Sequence, residues 1–340
     1  MKAEEMVARL EPFLAAETGV DAASMREFRT MTGGAVRSAF SFDLELPGSG
    51  QAAPEPLVLL AFRPGGASSF GAPEEFALLR AVHARGAKVP KPRFVGEEAL
   101  GRPFYIMERI PGESIGRRIV RRDEFAAARA ALPAQLAEAA AAIHRVDTDE
   151  PALHFLASAP QGRSNAAHLL AELDALYRLI ALEPHPVFEL AFRWLARNEP
   201  PSFGTTLVHG DFRIGNVLVD ENGLRAVLDW ELAHIGDPLE DLGWLCGRSW
   251  RFGADERTCG GVGQREELAA AYEKASGRQV DATALRWWEV FGNLRWGIFT
   301  LVQVRPFLDG QTKNMELGMI GRRAAETEWE LLNLMEGKAL

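Results

Sequence analysis

The chain has 340 residues, of which 47% are hydrophobic and 25% charged, as in an ordinary globular enzyme. Lys and Arg total 38 against 47 Asp and Glu, and the formal net charge of −9 argues against nucleic acids and anionic membranes as general partners. The two cysteines, Cys246 and Cys259, are too few for a disulfide framework or a four-thiolate zinc site, and they favour a reducing compartment.

The N-terminal stretch predicts a helix instead of a signal peptide. Residues 1–19 carry early acids and apolar residues at helical spacing, without a basic start or a continuous apolar run. No 18-residue segment is free of charge, and the nearest approach, 287–304, contains Glu289 and Arg295, which favours a buried helix over a membrane span. We therefore expect a cytoplasmic protein without a membrane partner. The sequence does not indicate an oligomeric state.

Residues 20–110 predict a small sheet with one helix inside it. Two strand patterns flank a pair of glycines, which is typical of a hairpin turn. A short apolar run then predicts a central strand, and Pro73 and Gly86 mark the ends of the helix. The predicted strands are 26–32, 36–46, 57–62, 93–97 and 103–110, and the predicted helix is 73–82.

From Asp123 onward the sequence predicts helices, interrupted by a compact β-like insertion at 205–230. Pro111-Gly112 interrupts the chain between the two kinds of pattern, so we expect an N-terminal nucleotide-binding lobe over 1–110 and a helical catalytic and substrate-binding lobe over 111–340. The predicted helices are 123–145, 166–182, 187–197, 238–249, 265–276, 283–304 and 314–335.

The segment Leu-Val-His-Gly-Asp-Phe-Arg-Ile-Gly-Asn-Val-Leu-Val, residues 207–219, places a polar loop between two apolar strands. Such loops often carry catalytic groups. Phosphoryl transfer needs a carboxylate that orients the attacking hydroxyl, and oxygen ligands for Mg²⁺. Asp211 can supply the carboxylate, and Asn216 and Asp229, brought together by a hairpin, can supply the oxygens. His209 is better suited to organising the loop than to acting as a base.

Each of these residues also has a purely structural interpretation. A lone His-x-Asp pair is usually a satisfied turn, and a lone Asp after a strand is usually a cap. The joint pattern, a His-x-Asp-x₄-Asn loop followed by a hairpin and an Asp-Trp pair, favours phosphoryl transfer.

The stretch HGDFRIGNVLVDENGLRAVLDWELAHIGDPLEDLGWL resembles the signature of the aminoglycoside phosphotransferase family, which shares the protein-kinase-like fold with choline kinases. The resemblance is strongest over 205–250 and extends over nearly the whole chain. In detail it is similar to the subgroup found alone in bacteria and fused to certain acyl-CoA dehydrogenases. It implies an α+β, bilobal protein-kinase-like fold with a small antiparallel-sheet N-lobe and a larger, mostly helical C-lobe.

The resemblance also implies roles for residues of the loop. Asp211 matches the catalytic Asp, Asn216 and Asp229 match the metal-binding Asn and Asp, and His209 matches the first residue of the motif. Arg213, inside the same loop, is the best candidate for a substrate contact and could assist the transferring phosphate.

In the N-terminal lobe, Gly33 and Gly34 match the loop that lies over the nucleotide phosphates. Glu75 matches the Glu that pairs with a phosphate-binding lysine. The connector 107–110, which includes Glu108 and Ile110, matches the segment whose backbone hydrogen-bonds adenine.

The phosphate-binding lysine itself is missing, because no lysine occurs between Lys2 and Lys88. Arg63, at the end of the central strand, is the nearest cation, and we predict that it pairs with Glu75 and binds phosphate bidentately. The alternative is that Arg63 is a surface residue and that this lobe binds ATP poorly.

The residues that follow Asp229 have structural as well as functional interpretations. Asp237 and Pro238 predict a helix start, with Asp241 in its first turn, and in the family this segment braces the active site. Glu231 has two open interpretations, a ligand of a second metal or of substrate, and a solvated acid.

Basic and aromatic residues of the C-terminal part are either contacts for an acyl-CoA-type acceptor or core. They are Arg213, Arg248, Arg251, Arg286, Arg295, Arg305, Trp287, Trp288, Trp296 and Phe299.

Together these features predict an ATP- and Mg²⁺-dependent small-molecule O-phosphotransferase with a hydroxyl acceptor. The resemblance suggests a hydroxyacyl-CoA or related metabolite in preference to an aminoglycoside. The alternative is a catalytically silent nucleotide-binding regulatory module, motivated by the missing lysine; a protein without nucleotide binding would have only a structural or interaction role. A protein kinase is disfavoured because the chain runs from Asp229 straight into Asp237-Pro238 and a helix, without an activation-loop-like segment.

Overall fold

The computed structural model describes residues 1–31, 37–62 and 70–338. The chain divides into two units. The first, here called the sheet unit, comprises Met1–Gly112, Asp149–Phe155 and Arg225–Leu232. The second, here called the helical unit, comprises Glu113–Thr148, Leu156–Leu224 and Ala233–Leu340.

The sheet unit contains a five-stranded antiparallel sheet with strand order β1-β2-β3-β5-β4. This confirms the predicted antiparallel sheet. Its main elements are α1 (Ala3–Thr18), β1 (Ser24–Met31), β2 (Arg37–Glu45), β3 (Glu55–Phe62), α2 (Ala72–Ala84), β4 (Pro92–Gly96) and β5 (Phe104–Glu108).

The apolar run of β3 forms the centre of this sheet, where Leu59 lies opposite Phe40 of β2 and Ile106 of β5. Helix α1 packs its apolar face on the sheet, and its Met6 and Leu10 are buried in one cluster with Leu59 and Ile106. Burying an apolar side chain of this size contributes about 1.5–3 kcal/mol. The N-terminal helix therefore belongs to the core of the sheet unit.

The helical unit contains most of the helices and the short strands near the His-x-Asp-x₄-Asn loop. Its elements, with one strand that continues into the sheet unit, are α3 (Gly116–Arg121), α4 (Ala126–Ile143), α5 (Asn165–Ile180), α6 (Pro186–Arg197), β6 (Thr206–Val208), β7 (Val217–Asp220), β8 (Gly223–Val227), β9 (His234–Gly236), α7 (Leu239–Cys246), α8 (Arg265–Ser276), α9 (Ala282–Leu308), α10 (Met315–Ile320) and α11 (Ala324–Met335).

Helices α7 and α9 cross closely in the core of the helical unit. A Cβ at Gly243 of α7 would lie 2.7 Å from the carbonyl carbon of Trp288, so only glycine fits this crossing. Trp287 and Trp288 are both buried, and the indole N–H of Trp287 donates to the carbonyl of Leu195 at 2.9 Å. Both tryptophans are therefore core residues, which is one of the two interpretations that the sequence left open for them.

Several details differ from the sequence predictions, among them helix α3, which was not predicted. The single helix predicted over 314–335 is wrong: a 3₁₀ turn at Gly321–Arg323 separates α10 from α11. A Cβ at Gly321 would meet Cβ of Val304 at 2.8 Å, so this turn begins where the chain passes tightly against α9. Strand β9, which pairs antiparallel with β6, was not predicted. None of the helices in the described ranges is long and apolar enough to span a membrane.

Candidate active site

The loop after β6 holds the His-x-Asp-x₄-Asn residues in the helical unit. Leu207 and Val208 are fully buried, so the strand anchors the loop in the core. Gly210 has a φ of 78° and Gly215 a φ of 114°, a left-handed backbone that side chains disfavour. These two glycines let the loop turn between β6 and β7.

Three side-chain donors converge on the carboxylate of Asp211. Trp244 donates its indole N–H to Oδ1 at 2.6 Å, and Arg213 donates Nε–H to the same oxygen at 2.9 Å. Asn216 donates its amide N–H to Oδ2 at 2.6 Å. Because both oxygens accept hydrogen bonds, the carboxylate has a fixed orientation near the start of the loop.

Asp241, in the first turn of α7, braces the loop from behind. Its carboxylate accepts the backbone N–H groups of His209 at 2.8 Å and Gly210 at 2.9 Å, and it lies 3.1 Å from Nε2 of His144. Burial opposes ionisation of this acid, but the hydrogen bonds and neighbouring imidazoles outweigh it, so its pKa is lowered. A fully buried carboxylate thus ties α7 to the loop backbone.

His209 and Asn216 complete the loop. Nδ1 of His209 accepts the backbone N–H of Asp211 at 3.1 Å, a contact that shapes the turn. The amide nitrogen of Asn216 also donates to the carbonyl of Asp211 at 3.1 Å. Since the nitrogen of this buried amide is committed to Asp211, its oxygen is the atom that can bind a cation, and amide oxygens suit Mg²⁺.

The guanidinium of Arg213 lies over the ring of Trp250, 4.5 Å from its centroid, while its Nε–H binds Asp211. Sequence reasoning identified Arg213 but missed Trp244. An aromatic residue at helical spacing is normally core, so only its position three residues after Asp241 could have pointed to it.

In the sheet unit, Glu75 of α2 is buried, and its Oε1 accepts hydrogen bonds from two groups. Nη1 of Arg37 and the hydroxyl of Tyr105 each lie 2.8 Å from it. Burial raises the pKa of Glu75, although the Arg37 charge opposes this. Arg37 on β2 was missed by sequence reasoning, which looked for the cation on β3. The predicted partner Arg63 and the predicted phosphate-loop glycines Gly33 and Gly34 lie outside the described residues.

Asp229 and Glu231 follow β8 in the sheet unit. Asp229 is exposed and has a φ of 68°, a conformation uncommon for a residue other than glycine. Oε2 of Glu231 lies 3.5 Å from Nη2 of Arg37, a partner that neither open interpretation of Glu231 included. The charges of both acids act on Glu75 and Arg37, so the four groups form one electrostatic cluster.

The connector after β5 is held through its backbone. Glu108 donates its N–H to the carbonyl of Lys91 at 2.9 Å, and Arg109 donates its N–H to that of Pro56 at 2.9 Å. Ile110, the next residue, is half-buried. The segment is therefore fixed at the end of the sheet.

A pocket of about 240 Å³ lies within the helical unit between α5, β9 and α9. Arg295 on its wall is stacked 5.0 Å from the ring of Trp244 and forms an ion pair with the buried Glu240 at 2.9 Å. Through Trp244 this wall is one side chain away from Asp211. Other residues on the wall include Leu169, Leu173, Leu176, Phe291, Phe299, His168 and His234.

Comparison with known proteins identifies both relatives and structural neighbours. The model of the phosphotransferase enzyme family, APH, matches residues 49–288. Acyl-CoA dehydrogenase family member 11 of Rattus norvegicus is 33% identical over 176 residues, which cover 50% of this chain and 22% of that protein. The chain spans about a fifth of the length of the curated relatives it matches.

Solved structures of other proteins share the fold. A Ralstonia eutropha JMP134 protein assigned to the aminoglycoside phosphotransferases superposes with a TM-score of 0.76 at 22% identity, covering 97% of this chain and 98% of that one. A thermostable mutant of aminoglycoside phosphotransferase APH(4)-Ia, in complex with AMP-PNP and hygromycin B, gives a TM-score of 0.57 at 20% identity, covering 96% and 98%. These likenesses confirm the predicted kinase-like fold.

Proposed function

Because this chain belongs to the phosphotransferase enzyme family, we propose that it transfers the γ-phosphoryl group of ATP to a hydroxyl of a small-molecule acceptor. The observation that carries this proposal is the orientation of Asp211. Three donors, from Trp244, Arg213 and Asn216, hold a carboxylate at the start of a strand-anchored loop. Positioning of this kind is the main contribution a protein makes to phosphoryl transfer.

In the proposed reaction Asp211 accepts a hydrogen bond from the acceptor hydroxyl and orients its oxygen toward the γ-phosphorus. A new P–O bond forms to that oxygen, and the bond from phosphorus to the bridging oxygen breaks. ADP leaves with the electron pair, and the hydroxyl proton passes to Asp211 and then to water. Arg213, held between Asp211 and Trp250, is placed to stabilise charge on the transferring group. His209 shapes the loop.

We propose Asn216 and Asp229 as magnesium ligands. The amide oxygen of Asn216 and the exposed carboxylate of Asp229 are the oxygen donors that Mg²⁺ prefers. Mg²⁺ supplies charge neutralisation of the nucleotide phosphates when it is bound.

For the nucleotide, the backbone of Glu108 and Ile110 is the proposed adenine contact, and Gly33 and Gly34 are the proposed phosphate contacts. AMP-PNP in the complex of APH(4)-Ia supports an adenine nucleotide. The alternative of a silent module rested on the missing lysine, and the buried Arg37 beside Glu75 weakens that alternative because it supplies a cation.

We propose that the acceptor is a hydroxyacyl-CoA or a related metabolite. Two observations support it: the curated relatives are acyl-CoA dehydrogenase family members, and the pocket beside Trp244 has largely apolar walls. A polycationic aminoglycoside would favour an acidic pocket, whereas Glu172 is the single acid among the described residues that line this one, and it lies 3.4 Å from His168.

The proposed location is the cytoplasm. Cys246 and Cys259 are both free and buried, as suits a reducing compartment. The net charge of −9 supports a small-molecule substrate over a nucleic acid.

The test is ADP release from ATP and Mg²⁺ with a panel of hydroxyacyl-CoA thioesters, their non-hydroxylated analogues and aminoglycosides. We expect turnover with the hydroxyacyl-CoA thioesters but not with their non-hydroxylated analogues or the aminoglycosides, loss of at least about a thousandfold in kcat for Asp211→Asn, and normal rates for the hairpin-turn control Asp220→Asn. Turnover that survives Asp211→Asn would refute the mechanism, and turnover with aminoglycosides alone would refute the acceptor.

A further inference from the structure

The sheet unit contains a buried cation that its sequence motifs did not assign. Arg37, the first residue of β2, is 8% exposed, and its Nη1 lies 2.8 Å from Oε1 of Glu75, which is 1% exposed. Within the hydrogen-bonded sheet its α-carbon lies opposite Phe62, the residue that precedes Arg63. Arg37 therefore reaches Glu75 from the strand next to the one on which the lysine was expected.

The guanidinium of Arg37 is not saturated with hydrogen bonds from the described residues. Among the residues that the structure describes, its buried Nε has no hydrogen-bond partner, and neither has Oε2 of Glu75. Nη2 is 3.5 Å from Glu231, at the limit of hydrogen bonding. A buried donor without a partner is costly, and a bound oxyanion would accept from Nε of Arg37, whereas Oε2 of Glu75 is itself an acceptor that an anion does not satisfy.

Other contacts hold Arg37 in this place. The hydroxyl of Tyr105 donates to the same Oε1 of Glu75, which fixes the carboxylate, and the guanidinium lies over the ring of Phe62, 5.3 Å from its centroid. A planar guanidinium fixed in this way is suited to bidentate binding of phosphate.

We propose that Arg37, and not Arg63, binds a phosphate oxygen of the nucleotide, with Glu75 and Tyr105 as its positioning residues. This assignment rests on the proposed phosphotransferase function. It moves the phosphate-binding cation from β3 to β2 and accounts for a chain that has no lysine between Lys2 and Lys88.

The test is calorimetric binding of ATP, ADP and adenosine in the presence of Mg²⁺. Because Arg37→Met alone would leave Glu75 buried without its cation, the principal variant is the double substitution Arg37→Met with Glu75→Leu, which replaces both charges by apolar groups. We expect it to weaken ATP and ADP binding by about tenfold to a hundredfold, while adenosine binding changes by less than about twofold. Arg63→Met and the control Arg93→Met, which removes the ion pair with Glu55 in the same sheet, should leave all three affinities within about twofold.

Equal weakening of all three ligands by the double variant would show a structural role and overturn the assignment, as would a selective loss of ATP and ADP binding in Arg63→Met. If the wild-type protein binds ATP no more tightly than adenosine, both the assignment and the proposed function fail. If the wild type transfers phosphate and the double variant binds ATP normally, the assignment alone fails.

Discussion

Trp244 donates its indole N–H to Oδ1 of Asp211 at 2.6 Å, so a buried residue of α7 orients the carboxylate of the loop after β6. Asp241, three residues earlier on the same helix, accepts the backbone N–H groups of His209 and Gly210. Helix α7 thus holds both the backbone of this loop and the side chain that we propose orients the acceptor. Substitutions at Trp244 and Asp241 should therefore affect the loop in different ways.

Replacing Trp244 by Phe keeps an aromatic ring but removes the donor to Asp211. We expect kcat to fall by about tenfold to a hundredfold, because a hydrogen bond to a charged group contributes about 1.5–3 kcal/mol, while KM for ATP stays within about twofold. Steady-state kinetics with the preferred acceptor measures both constants. Trp250→Phe is the matched control, since that ring packs against Trp244 with centroids 5.2 Å apart and its contact with Arg213 needs only an aromatic face. An unchanged kcat in Trp244→Phe would show that the indole contact does not orient the carboxylate.

Replacing Asp241 by Asn should destabilise the fold as well as the loop. The amide cannot accept from His209, Gly210 and His144 at once, and its NH₂ group opposes a backbone donor. We expect the free energy of unfolding to fall by about 3 kcal/mol, as is typical when one member of a buried charged network is lost. Urea denaturation measures this, with Asp220→Asn, in the hairpin turn, expected to cost less than about 1 kcal/mol. Equal midpoints for the two variants would contradict the bracing role.

The motif residues and the long-range contacts differ in how well the sequence predicted them. The family and the fold class are confirmed, because they depend on residue types at short spacing, such as Asp211 and Asn216 in one loop. The partners of those residues come from distant parts of the chain: Trp244 is 33 positions from Asp211, and Arg37 is 38 positions from Glu75. Such pairings depend on how helices and strands pack, and a local pattern contains no signal for them.

Asp237 should give the protein a pH dependence between about pH 4 and pH 6. Burial raises its pKa from 3.8 to about 6, despite hydrogen bonds from the backbone N–H groups of Leu239 and Phe203. The folded state keeps this proton up to about pH 6, whereas the unfolded chain releases it near 3.8, so stability falls as the pH rises through this window. We expect the difference in unfolding free energy, wild type minus Asp237→Asn, to decrease by up to about 3 kcal/mol from pH 4 to pH 6.5.

Urea denaturation at several pH values measures that difference. Asp281→Asn is the control, because backbone hydrogen bonds at the start of α9 lower the pKa of this exposed acid. Its contribution is fully present above about pH 4.5 and is lost as the pH falls further, so its difference curve should be flat above that pH and slope in the opposite sense below it. A flat difference curve for Asp237→Asn would show that this carboxyl ionises in the folded protein as it does in the unfolded chain.

Gly243 should be intolerant of even a methyl group, although it lies inside a helix. Alanine at an exposed helical position is more stable than glycine by roughly 0.5–1 kcal/mol, but here a Cβ would lie 2.7 Å from the Trp288 carbonyl carbon and 2.9 Å from the Glu289 nitrogen. Backbone atoms cannot move aside without separating α7 from α9, so we expect Gly243→Ala to lower the free energy of unfolding by at least about 2 kcal/mol. In Gly292→Ala, on the facing helix, the nearest neighbour of the new Cβ is the Trp244 ring at 3.3 Å and backbone atoms lie no closer than 3.6 Å, so this variant should cost less. Chemical denaturation of both variants tests the close crossing, and a Gly243→Ala protein at least as stable as the wild type would contradict it.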